Sequence, residues 1–147
     1  MNVTTAQLER FLRKVDNLFP VPLSQKCDLY SLAEKFIEKG TICVQFDNSE
    51  IVAIAVGYTE EVVENRGYLS VVATLPEAQG NGYASKLIRQ FLDIAEQNKL
   101  SAVHLYADRR NEPALAMYRH LGFSEWQMAD EPRKSDAHFI FEFSKGE

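Results

Sequence analysis

The stretch Leu75-Pro76-Glu77-Ala78-Gln79-Gly80-Asn81-Gly82-Tyr83-Ala84-Ser85 places two of the chain's seven glycines within three residues, between a β-branched run and a helical one. A strand-to-helix turn with glycines lets backbone amides approach a ligand closely. The amides and dipole at the helix start then favour an anion, typically phosphate or pyrophosphate. A tight turn with no ligand has the same local sequence, and Gly-x-Gly alone does not separate the two. Two phosphate motifs are excluded. Gly-x-x-x-x-Gly-Lys is absent, so there is no Walker loop. Ser85 and Asp108 offer fragments of a dinucleotide fingerprint, but the segment ahead of Tyr68 leaves too little chain for both halves of that fold. A second constellation, Asn111 to Phe123, reads as a capped amphipathic helix with Pro113 in its first turn and a stop at Gly122. Tyr118 within it reads, alone, as a packing aromatic whose hydroxyl reaches solvent.

Other groups that could move protons are scattered. Glu60, Glu61 and Glu64 form an acidic loop that could attract or deprotonate an ammonium group, or simply face water. Tyr68 and Ser70 lie on the strand that follows, and His138 begins the strong C-terminal strand. His104 reads as a hydrogen-bonded structural residue and Trp126 as core. Arg109 and Arg110 suit either a phosphate contact or a solvated loop. The histidines at 104, 120 and 138 and the lone Cys27 and Cys43 show no metal-ligand spacing, so no metal is expected. The thiols read as small side chains of a reducing, cytoplasmic protein.

These residues need elements to hold them. Leu8, Phe11, Leu12, Val15, Leu18 and Phe19 fall at helical spacing behind the capping box Thr4-x-x-Gln7, and Pro20 and Pro22 end that helix. Leu29, Leu32, Ala33, Phe36 and Ile37 form a second helical face, capped by Asp28 or Ser31 and stopped at Gly40. Thr41–Asp47 and Glu50–Tyr58 read as strands joined by an Asn48-Ser49 hairpin turn. A third strand spans roughly Tyr68–Leu75, and Tyr83 to Ala95 is helical. Ala102–Ala107, Phe123–Met128 and Ala137–Phe143 are strand-like. The order α-α-β-β-β-α-β-α-β-β predicts one α/β domain over residues 1–147 with a mixed central sheet flanked by helices. Its third and fourth strands are parallel across a helical crossover.

Composition narrows the classes. With 147 residues, 46% of them hydrophobic, one domain with a real core is expected, without disulfide staples. A net charge of −5 argues against nonspecific nucleic-acid binding. The apolar run Ile51 to Tyr58 is far short of the ~20 residues of a membrane span, and Met1 to Thr5 has no secretory pattern.

Together the two constellations resemble the GNAT superfamily of acyl-CoA-dependent N-acyltransferases. Its signature Arg/Gln-x-x-Gly-x-Gly/Ala is matched by Gln79-Gly80-Asn81-Gly82-Tyr83-Ala84. Its downstream Asn…Ala-x-x-x-Tyr-x-x-x-Gly-Phe is matched by Asn111, Ala114, Tyr118, Gly122 and Phe123. The resemblance is close over residues 68–123 and looser in the flanking strands. It implies an N-acetyltransferase that uses acetyl-CoA and no metal. A primary amine on a small molecule or peptide would attack directly in a ternary complex. Neither nucleic acid nor membrane is an expected partner, and a homodimer is compatible. Carried onto this chain, the backbone of Val72, Ala73 and Thr74 would hold the pantetheine arm like an added strand. The amides of Gln79, Gly80, Asn81, Gly82, Tyr83 and Ala84 would hold the pyrophosphate, with the Ser85 hydroxyl beside them. Asn111 would bind pantetheine through its side-chain amide, and Tyr118 would face the thioester sulfur. The general base stays open among Glu60, Glu61, Glu64, Tyr68, Ser70 and His138.

The sequence departs from the family pattern in places. Asn81 stands where a basic residue is common, leaving recognition to amides with Lys86 or Arg89 nearby. Tyr83 replaces a branched aliphatic. The family commonly begins with a strand, whereas this chain enters a helix almost at once. Either that strand is missing or Phe19–Leu23 has an extended role. Two rival readings are a catalytically silent acyl-CoA-binding sensor and an interaction module built on the apolar first helix.

Overall fold

The computed structural model describes residues 2–60, 62–126, 133 and 135–143. Helix α1 (Thr5–Val15) starts at the capping box, with Gln7 donating its amide to Thr4 Oγ1 at 3.1 Å and Thr4 donating back to Gln7 Oε1 at 3.0 Å. Of the two candidate caps for α2 (Leu29–Lys39), Asp28 does the work: its carboxylate accepts from the Ser31 amide at 2.9 Å. Between the helices, Phe19 and its prolines link two short 3₁₀ turns, and among the described residues no strand precedes α1. Phe19 and Pro22 have extended backbone without joining the sheet, and among the described residues β1 (Thr41–Asp47) is an edge of the sheet.

Strands β1 and β2 (Glu50–Tyr58) pair antiparallel around Asn48 and Ser49, both with positive φ as a tight hairpin requires. Strand β3 (Arg66–Thr74), helix α3 (Tyr83–Gln97) and strand β4 (Ala102–Asp108) form the parallel crossover. Helix α4 (Glu112–His120) leads to a short β5 (Ser124–Glu125) and to β6 (Asp136–Glu142). The sheet order is β1-β2-β3-β4-β6-β5. The strand expected over Phe123–Met128 is thus reduced to two described residues: Phe123 turns into the core, 3% exposed, and residues 127–128 lie outside the described ones.

Strand β2 is buried on both faces, and its side chains divide the core. Ile54 and Val56 pack under Leu8 and Phe11 of α1 and Ala33 and Phe36 of α2, while Ala53 and Ala55 pack under Leu87, Ile88 and Phe91 of α3. Small alanines on that side let α3 lie close to the sheet. The α3 face continues through Val103 and Leu105 of β4, Phe139 of β6, and Leu115 and Tyr118 of α4. A half-buried polar knot ties the end of α3 to the β1–β2 end of the sheet: Thr59 Oγ1 lies 2.6 Å from Thr41 Oγ1 and accepts from Asn98 Nδ2 at 3.1 Å.

Two irregularities shape the centre of the sheet. Val56 pairs with Val71 but Gly57 pairs with Leu69, so Ser70 is a bulged extra residue on β3. The bulge flips the alternation, and Leu69 joins the α3 face while Val71 joins the α1/α2 face. Opposite it, a Cβ on Gly57 would lie 1.9 Å from the Tyr68 carbonyl oxygen, so only glycine permits this approach. The second irregularity is that β3 and β4 pair only at Arg66–Ala102, Gly67–Val103 and Tyr68–His104. Beyond Tyr68 and His104 the two parallel strands part, and the sheet opens into a wedge.

Candidate active site

Among the described residues the wedge leaves one edge of β3 unpaired, and the register tells which groups line it. Leu75 donates its amide to Val52 O at 2.9 Å, so these opposed residues are a hydrogen-bonded pair. Pair types alternate along an antiparallel ladder. Ala73 and Val71 therefore also direct their backbone groups to β2, while Val72 and Thr74 direct theirs into the wedge. Ala73 is thereby set apart from its two neighbours. The Thr74 carbonyl meets Gln79 Nε2 only at a long 3.4 Å.

At the wide end of the wedge stands the start of α3. Its N-cap is Gly82, with φ 74°, and no side chain caps the first turn. The backbone amides of Tyr83, Ala84 and Ser85 therefore lack the side-chain acceptor that a Ser or Asp cap would supply. Gly80 has φ 88°, and nothing lies within 4 Å of a Cβ built on either glycine. These glycines are thus needed for backbone conformation and keep open space before the amides. Asn81 folds back, donating Nδ2 to Ala78 O at 2.9 Å. Ser85 is half-buried. Of the nearby cations, Lys86 donates to Gln45 Oε1 at 2.9 Å, and Arg89 is exposed. Arg110 is held by Asp108 at 2.7 Å and Arg109 by Glu125 at 3.1 Å. The guanidinium of Arg110 and its backbone amide hold the Asp108 carboxyl down at about 2.

The α4 side of the wedge carries Asn111 and Tyr118. Asn111 Oδ1 caps α4 by accepting from the Ala114 amide at 3.4 Å, which leaves its NH₂ for other use. The Tyr118 ring is 8% exposed, between Phe123 (5.8 Å) and Phe139 (6.1 Å). Its hydroxyl has no hydrogen-bond partner among the described residues and is not fully enclosed. Burial pushes its phenol far above the usual tyrosine range, so Tyr118 holds its proton at any physiological pH.

On the opposite face, at the vertex of the wedge, an aromatic and imidazole cluster replaces a covering helix. Since Val103, Leu105 and Phe139 point to the α3 face, the alternating His104, Tyr106 and His138 point away from it. His104 Nδ1 lies 2.9 Å from His138 Nε2. Tyr68 packs on His104 at 5.1 Å, Tyr106 stacks on His138 at 4.2 Å, and Trp126 closes the cluster 4.8 Å from His138. Arg133 lies over Tyr106, donates to Tyr68 Oη at 3.2 Å and pairs with Asp136 at 2.8 Å. Burial raises the Tyr68 phenol, with Arg133 opposing. A depression of about 610 Å³ adjoins the cluster, lined by Arg66, Ser101, Ser124, Trp126 and Ile140 among others.

The candidate bases separate accordingly. Tyr68 and His138 sit at the vertex and Ser70 is the bulge residue beside it. Glu64 is turned to solvent and ion-pairs with Arg66 at 3.0 Å, Glu60 is exposed, and Glu61 lies outside the described residues. His104, read from sequence as structural, is the half-buried partner of a 2%-exposed His138. The contact joins positions far apart in the chain, so no local pattern announces it. Neither cysteine approaches these motifs: Cys43 is buried, with its thiol pushed up to about 11, and Cys27 precedes α2. Among the described residues no group of His, Cys, Asp and Glu side chains could hold a metal, and no helix is long and apolar enough to cross a membrane.

Comparison with known proteins agrees with this architecture. A segment of 62 residues is 42% identical to mycothiol acetyltransferase of Pseudarthrobacter chlorophenolicus, covering 42% of this chain and 19% of that one. Over 62 residues the chain is 32% identical to N-alpha-acetyltransferase 30 of Schizosaccharomyces pombe, covering 42% and 41%. It thus spans about a fifth of the length of the mycothiol acetyltransferases it matches. Among solved structures, the PaiA N-acetyltransferase of Thermoplasma acidophilum, in complex with coenzyme A, superposes with a TM-score of 0.75 at 14% identity over 97% of each chain. The ribosomal-protein-S18-alanine N-acetyltransferase of Escherichia coli gives 0.72 at 19% identity over 100% and 94%. These structural likenesses carry the fold alone. The sequence match is broader than any single relative: the model of the acetyltransferase (GNAT) family covers residues 8–123, and the chain belongs to that family.

Proposed function

We propose that this chain transfers an acetyl group from acetyl-CoA to a primary amine by direct attack within a ternary complex. The observation that carries the reading is the wedge itself, an unpaired β3 edge ending at an uncapped helix start behind two open glycines. An extended amide-bearing arm can add to that edge as a strand, and a diphosphate suits the amides of α3. Val72 and Thr74 hold the arm through their backbones, and Asn111 offers its NH₂ from the other side. Of the amides expected to hold the diphosphate, that of Gln79 is taken by Pro76 O at 3.3 Å, so those of Gly80 to Ala84 hold it, with the Ser85 hydroxyl adjoining. Asn81, committed to Ala78, contributes its backbone.

Acetyl-CoA supplies the activated thioester. The chain's residues must orient it, exclude water and handle protons. Tyr118 sits on the α3/α4 side with its proton retained by burial, suited to donate to the sulfur as it leaves. The cysteine route is disfavoured because a thiol pushed up to about 11 carries almost no thiolate near neutral pH. The acceptor approaches from the opposite face, where the aromatic cluster and the depression beside it lie.

The test is coenzyme A binding by calorimetry alongside thiol release from acetyl-CoA with a panel of peptide N-termini, amino sugars, polyamines and amino acids. Binding together with amine-dependent thiol release supports the enzyme. Binding without release for any acceptor means a sensor, and no binding defeats the reading altogether.

A further inference from the structure

We propose that Arg89 binds the 3′-phosphate of the donor's adenosine, so that the chain selects coenzyme A over its 3′-dephospho form. This rests on the function proposed above. Coenzyme A carries two anionic groups on one ribose: the diphosphate on the 5′ oxygen and a phosphomonoester on the 3′ oxygen. The amides of the first turn of α3 suit the diphosphate. The phosphomonoester lies one sugar away and calls for a cation close to the same turn. The turn itself supplies none, because Glu77 to Ala84 contains no Lys or Arg.

The neighbouring cations are engaged, with one exception. Glu125 holds Arg109 at 3.1 Å and Arg119 at 3.6 Å, and Asp108 holds Arg110 at 2.7 Å. Lys86 donates to Gln45 Oε1 at 2.9 Å. Arg89 is exposed, and among the described residues no carboxylate lies within ion-pairing distance of it.

Helix winding decides which way Arg89 faces. Successive residues turn by about 100°, and Leu87, Ile88, Phe91, Leu92 and Ala95 mark the face of α3 turned to the sheet. Ser85 and Arg89, four residues apart, share one flank of that face. Lys86 lies further round, and its bond to Gln45 of β1 shows that the other flank is turned to β1. Because α3 is the right-handed crossover between β3 and β4, the flank of Ser85 and Arg89 is the one turned to β4, across the wedge. Reach follows from the same geometry. Helical side chains lean towards the N-terminus, so Arg89 covers the turn that holds Ser85. The two Cα atoms are about 6 Å apart along the axis, a span the arginine side chain crosses. Its guanidinium then presents paired N–H donors to phosphate oxygens. The net charge of −5 repels a polyanionic donor at a distance, which gives an unpaired cation at the mouth of the site a steering role as well.

Calorimetry with coenzyme A and with 3′-dephospho-coenzyme A tests this without turnover. Wild type should bind coenzyme A about tenfold or more tightly than the dephospho form, and the preference should shrink as salt is raised. Arg89→Gln should bring the two affinities within about threefold of each other by weakening coenzyme A alone. Arg89→Lys, a point charge without the fork, should keep part of the preference, and Lys86→Gln should leave it in place. Glutamine and arginine have similar helix propensity, so the ligand-free variants should melt with wild type. A preference undiminished in Arg89→Gln, or lost equally in Lys86→Gln, overturns the proposal. Equal wild-type affinities for the two forms also overturn it and leave the acetyltransferase reading standing. A wild-type protein that binds neither form defeats both.

Discussion

Replacing Tyr118 by phenylalanine isolates a single hydroxyl. The ring stays between Phe123 and Phe139, and the hydroxyl lost has no hydrogen-bond partner among the described residues. The fold should therefore change by less than about 1.5 kcal/mol, a melting shift of under about 5 °C. Catalysis should suffer far more. Removing a positioned general acid lowers rates by about 10²–10⁴-fold, or about 2.7 to 5.4 kcal/mol of barrier. The assay is thiol release at saturating acetyl-CoA and amine, with coenzyme A affinity measured separately and expected within about threefold of wild type. Alkaline unfolding gives a second readout. Burial raises the Tyr118 phenol in the folded state, so above about pH 10 the unfolded chain ionises this group while the folded one does not. Stability then falls by about 1.4 kcal/mol per pH unit on account of this residue, until the folded phenol ionises too. Tyr58, Tyr68 and Cys43 are raised in the same direction, so the variant should show a shallower alkaline decline, not a flat one. A kcat within threefold of wild type would remove Tyr118 from the acid role. An unchanged alkaline slope would show that its phenol is not buried in solution.

Three further perturbations probe other parts of the argument. Gly82→Ala meets no atom within 4 Å but forces an L residue to φ 74°, costing about 1 kcal/mol; coenzyme A affinity should drop by about tenfold or more in calorimetry, and an unaltered affinity would clear the turn of a binding role. Gly57→Ala drives a methyl against the Tyr68 carbonyl; unfolding should show a loss of about 3 kcal/mol, near 10 °C in melting temperature, and a loss below 1 kcal/mol would contradict the close approach at the bulge. Replacing Cys27 by Ser and Cys43 by Ala together should leave kcat within about threefold in the thiol-release assay, since the Cys43 thiol is pushed up to about 11; a collapse of turnover in a folded protein would revive a covalent route.

Elements governed by local chemistry were legible in the sequence. Thr4 with Gln7, the Asn48-Ser49 turn, Gly40 and the apolar stripes at helical spacing are each decided within a few residues, and the helices and central strands lie where those signals put them. What the sequence hides is long-range. The bulge at Ser70 is hidden because Leu69, Val71, Val72 and Ala73 are apolar on both sides of the strand, so an inserted residue disturbs no hydrophobic alternation. The three-residue limit of the β3–β4 ladder leaves no trace in either strand alone. Similarly, His104 and His138 look unremarkable where they stand, and their pairing depends on β6 running antiparallel beside β4. The motifs proposed to hold the donor were thus readable as contiguous stretches, while the aromatic and imidazole cluster is assembled from β3, β4 and β6 with Trp126 and Arg133.

Helix α3 spans the seam: its apolar side chains reach residues of β1, β2 and β3 on one bank and of β4 on the other. It therefore acts as a splint across two half-sheets stitched together by three residue pairs, and its first turn is also where we propose that the diphosphate is held. Anything that tugs on that turn pulls on the stitching. A bound donor would close the seam as a surrogate strand, and slowed amide exchange along the facing edges of both banks would register it.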